Sequence, residues 1–222
     1  MQRRFAKTSA LLGLLLAAAC SDGRRYDQAI GVLIDVSGTY AGESAETVRV
    51  LKREVLPQMV PGDTLLVVRI DSDSYDEDNV VALLTLDRRP SHANAQKLEA
   101  ARMLDGLAAR ATGSAHTDIP GAMMLAAEYL EETGAGSRVL LVFSDLQEDL
   151  PRGATRTLRT SELTGTRVVA MNVKRLAQDR ADPTVYRERL SGWEKRVTAA
   201  GAAEWRAFAD PSKLADYLVA VR

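Results

Sequence analysis

The chain has 222 residues, 46% of them hydrophobic and 27% charged, with a formal net charge of −1. That composition suits one globular domain with a sizeable core. It lacks the concentrated basic face that a nucleic-acid binder needs. Aromatic residues are sparse at 5%, so aliphatic side chains must fill the interior. No internal repeat or low-complexity tract interrupts the chain.

Arg3, Arg4 and Lys7 form a positive head, and an apolar run follows over 8–19 with small residues at its end. This is the layout of a secretory signal, too short for a membrane-spanning helix. The run stops at Cys20, the only cysteine. Leu16-Ala17-Ala18-Ala19-Cys20 resembles the lipobox of bacterial lipoproteins, with Ala17 where Leu is commonest. The resemblance implies cleavage before Cys20 and lipidation of its thiol. A lone cysteine in an exported chain has no internal disulfide partner, so lipidation gives it a purpose. A diacylglyceryl group plus an N-acyl chain exceeds the two signals needed for stable anchoring. The expected division is a lipoprotein signal peptide over 1–19, the lipidated cysteine and a short tether over 20–26, and one domain over 27–222. The expected location is a bacterial membrane, at the periplasmic face or the outer membrane. Ser21, in place of an Asp after the cysteine, resembles an outer-membrane sorting pattern.

The apolar run 30–34 ends in Asp35, with hydroxyls at Ser37 and Thr39, and reads as a buried strand followed by a polar turn. A helix is expected over 41–56, with Val48, Leu51, Val55 and Met59 near one face. Residues 65–70 form a second buried strand and 80–86 a third, joined as a hairpin by the polar link 71–79. A helix over 94–110 would carry Leu98, Ala101, Leu104 and Ala108 on one side. Another helix runs from Ile119-Pro120 to about Glu132, with proline at a first-turn position and Gly134 and Gly136 beyond its end. A fourth strand over 138–144 is followed directly by Asp145. Residues 146–166 are the least regular part, with a short helix expected over 156–163. A fifth strand covers 167–173. Asp182-Pro183 opens a helix with the stripe Tyr186, Leu190, Trp193 and Val197, stopped by Gly201. A weaker sixth strand over 203–209 and a final helix from Asp210-Pro211 complete the chain.

Strands alternating with helices predict an α/β, doubly wound, mostly parallel six-stranded sheet, with helices on both faces and one antiparallel edge strand. In the order 3-2-1-4-5-6 the first and fourth strands flank the switch point, where such folds bind ligands. Asp35, Asp145 and the loop holding Thr117 would then meet. Two carboxylates with three hydroxyls make a hard, oxygen-only donor set, suited to Mg²⁺, Mn²⁺ or Ca²⁺ and not to zinc.

This order, Asp-x-Ser-x-Thr after the first strand, Thr before the third helix and Asp after the fourth strand, resembles the von Willebrand factor A domain family. The resemblance implies a metal-ion-dependent adhesion site formed by Asp35, Ser37, Thr39, Thr117 and Asp145, with Mg²⁺ the first expectation. It implies a protein-interaction module, not an enzyme, in which a partner protein's carboxylate completes the metal's shell, with no small-molecule substrate. The chain departs from the family at Thr39, where Ser is usual, and at Leu146, where Gly is usual. Asp118 places an additional carboxylate beside Thr117 as an accessory candidate.

Two other readings stay open. One is a structural domain with a degenerate metal site. The other is a haloacid dehalogenase-like phosphotransferase acting through Asp35. That chemistry needs a second Asp two residues later, where this chain has Ser37, and there is no glycine-rich phosphate loop. The acidic link holding Asp71, Asp73, Asp76, Glu77 and Asp78 is read as a solvated hairpin loop, and Arg152, Arg156, Arg159 and Arg167 as a solvated face. His92 and His116 show no zinc spacing.

Overall fold

The computed structural model describes residues 25–38, 40–109 and 114–222. Strand β1 (Gln28–Asp35) is buried at every position, as an unbroken apolar run flanked by covered faces requires. It lies at the centre of a six-stranded sheet with strand order β3-β2-β1-β4-β5-β6. β2 (Thr64–Ile70) and β4 (Ser137–Phe143) pair with it in parallel on either side. β5 (Thr166–Met171) and β6 (Glu204–Phe208) continue the parallel sheet beyond β4. β3 (Val80–Thr85) runs antiparallel to β2 at the other edge, with a register shift at Val67/Val68. The expected α/β architecture and its antiparallel edge are therefore observed.

Alternate residues of each strand feed two cores. Ile30, Val32 and Ile34 of β1 point into one, with Leu65, Val67, Leu141 and Phe143. Ala29 and Leu33 point into the other, with Leu66, Val68, Leu140 and Val142. Helix α1 (Ser44–Val50) and α2 (Pro90–Ala109) cover the first core, and α3 (Ile119–Glu132) covers the second. On this second face also lies α5 (Pro183–Ala199), preceded by the short α4 (Ala177–Ala181). The C-terminal α6 (Lys213–Ala220) returns to the first face through Leu214 and Leu218.

Several expected elements take a different form. The helix expected over 41–56 is a composite. A 3₁₀ turn (Ala41–Glu43) leads into α1, then a π segment (Leu51–Val55), then a 3₁₀ turn (Leu56–Gln58). Pro57 has no amide proton for the carbonyl four residues back, and its ring crowds that carbonyl. The helix widens ahead of it, and the Leu56 amide donates to the Leu51 carbonyl five residues back. Val48, Leu51, Val55 and Met59 are all buried as expected.

α2 begins four residues early, at Pro90, where the missing proline donor has no helical acceptor to lose. Of the expected inward face, Leu104 is buried and Ala101 packs against the core, but Leu98 is 63% exposed. The buried stripe runs through Ala93, Ala100 and Leu104, with Lys97 half-buried between them. A lysine stem can cover apolar surface while its ammonium stays wet, so a count of apolar residues alone misplaces the stripe. Burial lowers the Lys97 pKa, so its ammonium is itself partly withdrawn from water.

No helix forms over 156–163. Leu158 and Leu163 instead bury their side chains singly along an irregular strap. Helix α4 was not expected. It is held by Asp179, which accepts from the Leu176 amide at 2.7 Å and pairs with Arg189 at 2.5 Å.

The turn after β4 shows how this chain manages without glycine. Leu146 has φ 61, in the left-handed region that glycine enters without steric penalty. Its side chain is 1% exposed and packs in the second core. Its amide donates to Ser144 Oγ at 2.9 Å, and its carbonyl accepts from Trp193 Nε1 of α5 at 2.8 Å. Left-handed backbone strain costs a non-glycine residue about 1–2 kcal/mol. Deleting a buried leucine side chain costs about 2–5 kcal/mol. Packing therefore outweighs strain, and Leu146→Gly is expected to lower stability by about 1–3 kcal/mol in denaturant unfolding. An increase in stability would show that strain dominates this turn.

Candidate metal centre

The carboxyl ends of β1 and β4 bring Asp35, Ser37 and Asp145 together. In the parallel register Ile34 faces Phe143, so Asp35 and Ser144 leave the sheet side by side and Asp145 follows. Asp35 is fully buried and Asp145 is 1% exposed. Asp35 Oδ1 accepts from the Ser37 amide at 2.8 Å, and Oδ2 accepts from Ser144 Oγ at 2.6 Å. Asp145 Oδ1 accepts from the Gln147 amide at 2.8 Å.

Burial raises the Asp35 pKa above its ordinary value. The bonds from Ser144 and Ser37 oppose the shift, and the nearby charge of Asp145 adds to it. A cation between these groups would relieve both the desolvation and the repulsion. Ser37 is 5% exposed, and its Oγ makes no hydrogen bond of good geometry among the described residues. A buried hydroxyl left in that state is uncommon and calls for a partner. The residues present thus fit a hard cation: two carboxylates and hydroxyl oxygens, with an orphaned buried oxygen next to Asp35.

Backbone bonds knit the surrounding loops into one rim. The Ser114 amide donates to the Val36 carbonyl at 3.0 Å, bridging Ser37 to Ser114. Thr117 and Asp149 exchange two backbone bonds of 2.6 and 3.1 Å, tying the loop before α3 to the loop after β4. Thr117 is 5% exposed in this rim. Thr39 lies outside the described residues. Among those described, no three His, Cys, Asp or Glu side chains gather to hold a metal. Any ion here depends on hydroxyl donors for much of its shell.

Asp118, expected as an accessory carboxylate, is engaged elsewhere. Its Oδ1 accepts from the Gly121 amide at 2.9 Å and so caps α3. Its Oδ2 accepts from the Ser74 amide at 3.1 Å and pairs with Arg156 Nε at 2.9 Å. The same guanidinium reaches Asp73 at 2.7 Å. Arg156 is therefore no solvated bystander: it ties the acidic β2–β3 link to the strap after β4. Asp71 accepts from Ser114 Oγ at 2.6 Å, and Asp76 caps the short 3₁₀ turn (Glu77–Asn79). His116 Nδ1 lies 3.1 Å from Asp149 Oδ2 at the edge of the rim.

Ser144 escaped the sequence reading. Its signal was available, since parallel pairing of the two strands sets the residue before Asp145 beside Asp35. In the sequence alone, a serine ending an otherwise apolar run marks no more than the strand's last residue.

No protein-family model and no curated protein matches the chain in sequence. Solved structures share its fold at low identity. BatB from Bacteroides thetaiotaomicron aligns over 88% of this chain and 98% of its own, at 11% identity and TM-score 0.52. The pilus adhesin SpaC from Lactobacillus rhamnosus GG aligns over 87% of this chain and 29% of its own, at 12% identity and TM-score 0.51. A von Willebrand factor type A structure from Catenulispora acidiphila aligns over 86% of this chain and 41% of its own, at 12% identity and TM-score 0.49. Its strand order, its one antiparallel edge strand and its helices on both faces give the described chain a von Willebrand factor A-like α/β fold.

Proposed function

We propose that the domain is a divalent-cation-dependent protein-interaction module, held at a bacterial envelope membrane through Cys20. The observation that carries this reading is the orphaned Ser37 Oγ, buried beside the buried Asp35 and close to Asp145. The proposed donor set is Asp35, Ser37, Thr39, Thr117 and Asp145, with Mg²⁺ favoured and Mn²⁺ or Ca²⁺ also accommodated by oxygen ligands. Asp118 is left to cap α3.

When bound, the ion would supply Lewis acidity toward a carboxylate from a partner protein, because hydroxyl donors leave much of its charge unneutralised. The residues of the chain do the rest. Ser144 and the Ser37 amide fix the Asp35 carboxylate. The Gln147 amide fixes Asp145. The knitted loops hold these groups rigid. Recognition of this kind breaks no covalent bond. The pilus adhesin SpaC shows that the same fold serves a protein named for adhesion, which supports an interaction role. Cys20 lies outside the described residues. No described helix is long and apolar enough to cross a membrane. What supports a lipid anchor is the lipobox resemblance that ends at Cys20.

Calorimetric titration of Mg²⁺ and Mn²⁺ into the detergent-solubilised chain tests the site. One saturable event is expected, and Asp35→Ala and Asp145→Ala should abolish it. Equal affinity in both variants would rule the site out. Ser144→Ala removes a side chain that only orients a ligand, and should weaken affinity about 10–100-fold. Asp118→Ala should leave metal affinity unchanged. It should lower stability by about 2 kcal/mol, through the lost cap and the partner groups left unpaired. Loss of metal affinity in that variant would return Asp118 to the donor set.

A further inference from the structure

The pole opposite the candidate metal centre holds a pocket with a different chemistry. A cavity of about 550 Å³ opens there, lined by Arg25, Asp27, Thr64, Thr85, Arg88 and Thr133, among others. Residues 25–27 run along its wall as a seated strap and not as a loose tether. Arg25 Nη1 donates to the Gly134 carbonyl at 2.9 Å, and the Asp27 carbonyl accepts from the Gly136 and Ser137 amides at 3.1 and 3.4 Å. Glycine is required beside it, because a Cβ at Gly136 would overlap the Arg25 carbonyl oxygen. At Gly62, which has φ 98, a Cβ would collide with the Asp27 carboxylate.

The pocket offers donors to an anion. Arg25 uses one guanidinium nitrogen on Gly134, and Arg88 uses one on Asp27 Oδ2 at 2.9 Å, which leaves further N–H groups on each. Asp27 is the carboxylate in the lining, and this pairing offsets its charge. Thr64 Oγ1 and Thr85 Oγ1 share one hydrogen bond of 2.9 Å, so one of their two protons remains to donate. Two arginines and a hydroxyl around a concave site form the donor set that phosphate oxygens select.

Chain length says which phosphate is near. Cys20 precedes Arg25 by five residues, a reach of at most about 18 Å. A lipid on Cys20 therefore holds the pocket within about 18 Å of the headgroup layer. The eight residues of β1 carry Asp35 about 25 Å further along the strand axis.

We propose that this pocket seats the phosphate of a phospholipid headgroup, so that the domain stands with the N-terminal pole of its sheet on the membrane and the Asp35 pole facing away. The proposal rests on the reading of Cys20 as a lipid anchor. It gives the interaction module an orientation: the metal centre points toward partners that approach from the far side.

The test uses the full lipidated chain in phosphatidylglycerol–phosphatidylethanolamine vesicles that carry a headgroup-attached energy-transfer acceptor. With Cys20 consumed by its thioether, Glu132→Cys and Glu77→Cys each supply the one free thiol for a donor dye, at the near and far poles respectively. Transfer from position 132 should be several-fold more efficient than from position 77. The difference should narrow at least twofold, toward what the tether alone imposes, in an Arg25→Ala, Arg88→Ala double variant of unchanged circular dichroism, and on vesicles of a phosphate-free galactolipid. Equal transfer from the two positions in the unaltered pocket would overturn the orientation. A difference undiminished in both the double variant and the galactolipid would overturn the phosphate pocket. A chain whose Cys20 lacks the diacylglyceryl mass would overturn the anchor and this proposal together, whereas equal transfer on a lipidated chain overturns the proposal alone.

Discussion

Parallel pairing of β1 with β4 is the constraint on which the candidate centre depends. These two strands are distant in sequence, yet their register sets Asp35 and Ser144 side by side and leaves Asp145 one residue beyond. Both strands are sealed on two faces by aliphatic side chains, so neither can slip without turning its apolar residues outward. The same burial strips water from Asp35. A buried carboxylate without compensation is costly, and the chain supplies part of the compensation through Ser144 and the Ser37 amide. What is left uncompensated, a charge with Asp145 close by and a buried hydroxyl with no bond of good geometry among the described residues, is what a cation would complete.

Around this point the loops act as a brace. Backbone bonds link the turn after β1 to Ser114, the start of α3 to Asp71, and Thr117 to Asp149. Arg156 adds a bridge of charge from the strap after β4 to Asp118 and Asp73. Leu146 pins the turn after β4 from beneath, through its buried side chain and the Trp193 bond. The rim is thus held from several sides, as a site must be if its geometry is to exist before the ligand arrives. The two poles of the sheet differ in chemistry: carboxylates and hydroxyls gather at the carboxyl ends of β1 and β4, and arginines with threonines at the opposite end.

Much of this was readable from residues alone. Short aliphatic runs closed by Asp35 and Asp145 reported two strands and their polar ends, because burial on both faces demands uninterrupted apolar residues. Pro120 and Pro183 marked helix starts correctly, since a proline in the first turn loses no bond. Side chains that serve two masters were harder to read. Lys97 occupies an inward position that a purely apolar stripe assigns to Leu98. Asp118 looked like a spare ligand, while its oxygens serve α3 and Arg156. Leu146 stood where glycine was expected, yet it keeps the glycine-like backbone because its side chain is buried. Ser144 acquires meaning only when the register between distant strands is known. In each case the missing information was tertiary: which partner lies across the gap.

The most direct test of the central claim is anomalous diffraction from a crystal grown with Mn²⁺. The account predicts a peak at the carboxyl ends of β1 and β4, within bonding distance of Ser37 Oγ and bound directly or through water by Asp35 and Asp145. A fully ordered rim with no anomalous peak, and with Ser37 Oγ hydrogen-bonded to a water or a neighbouring side chain, would contradict it.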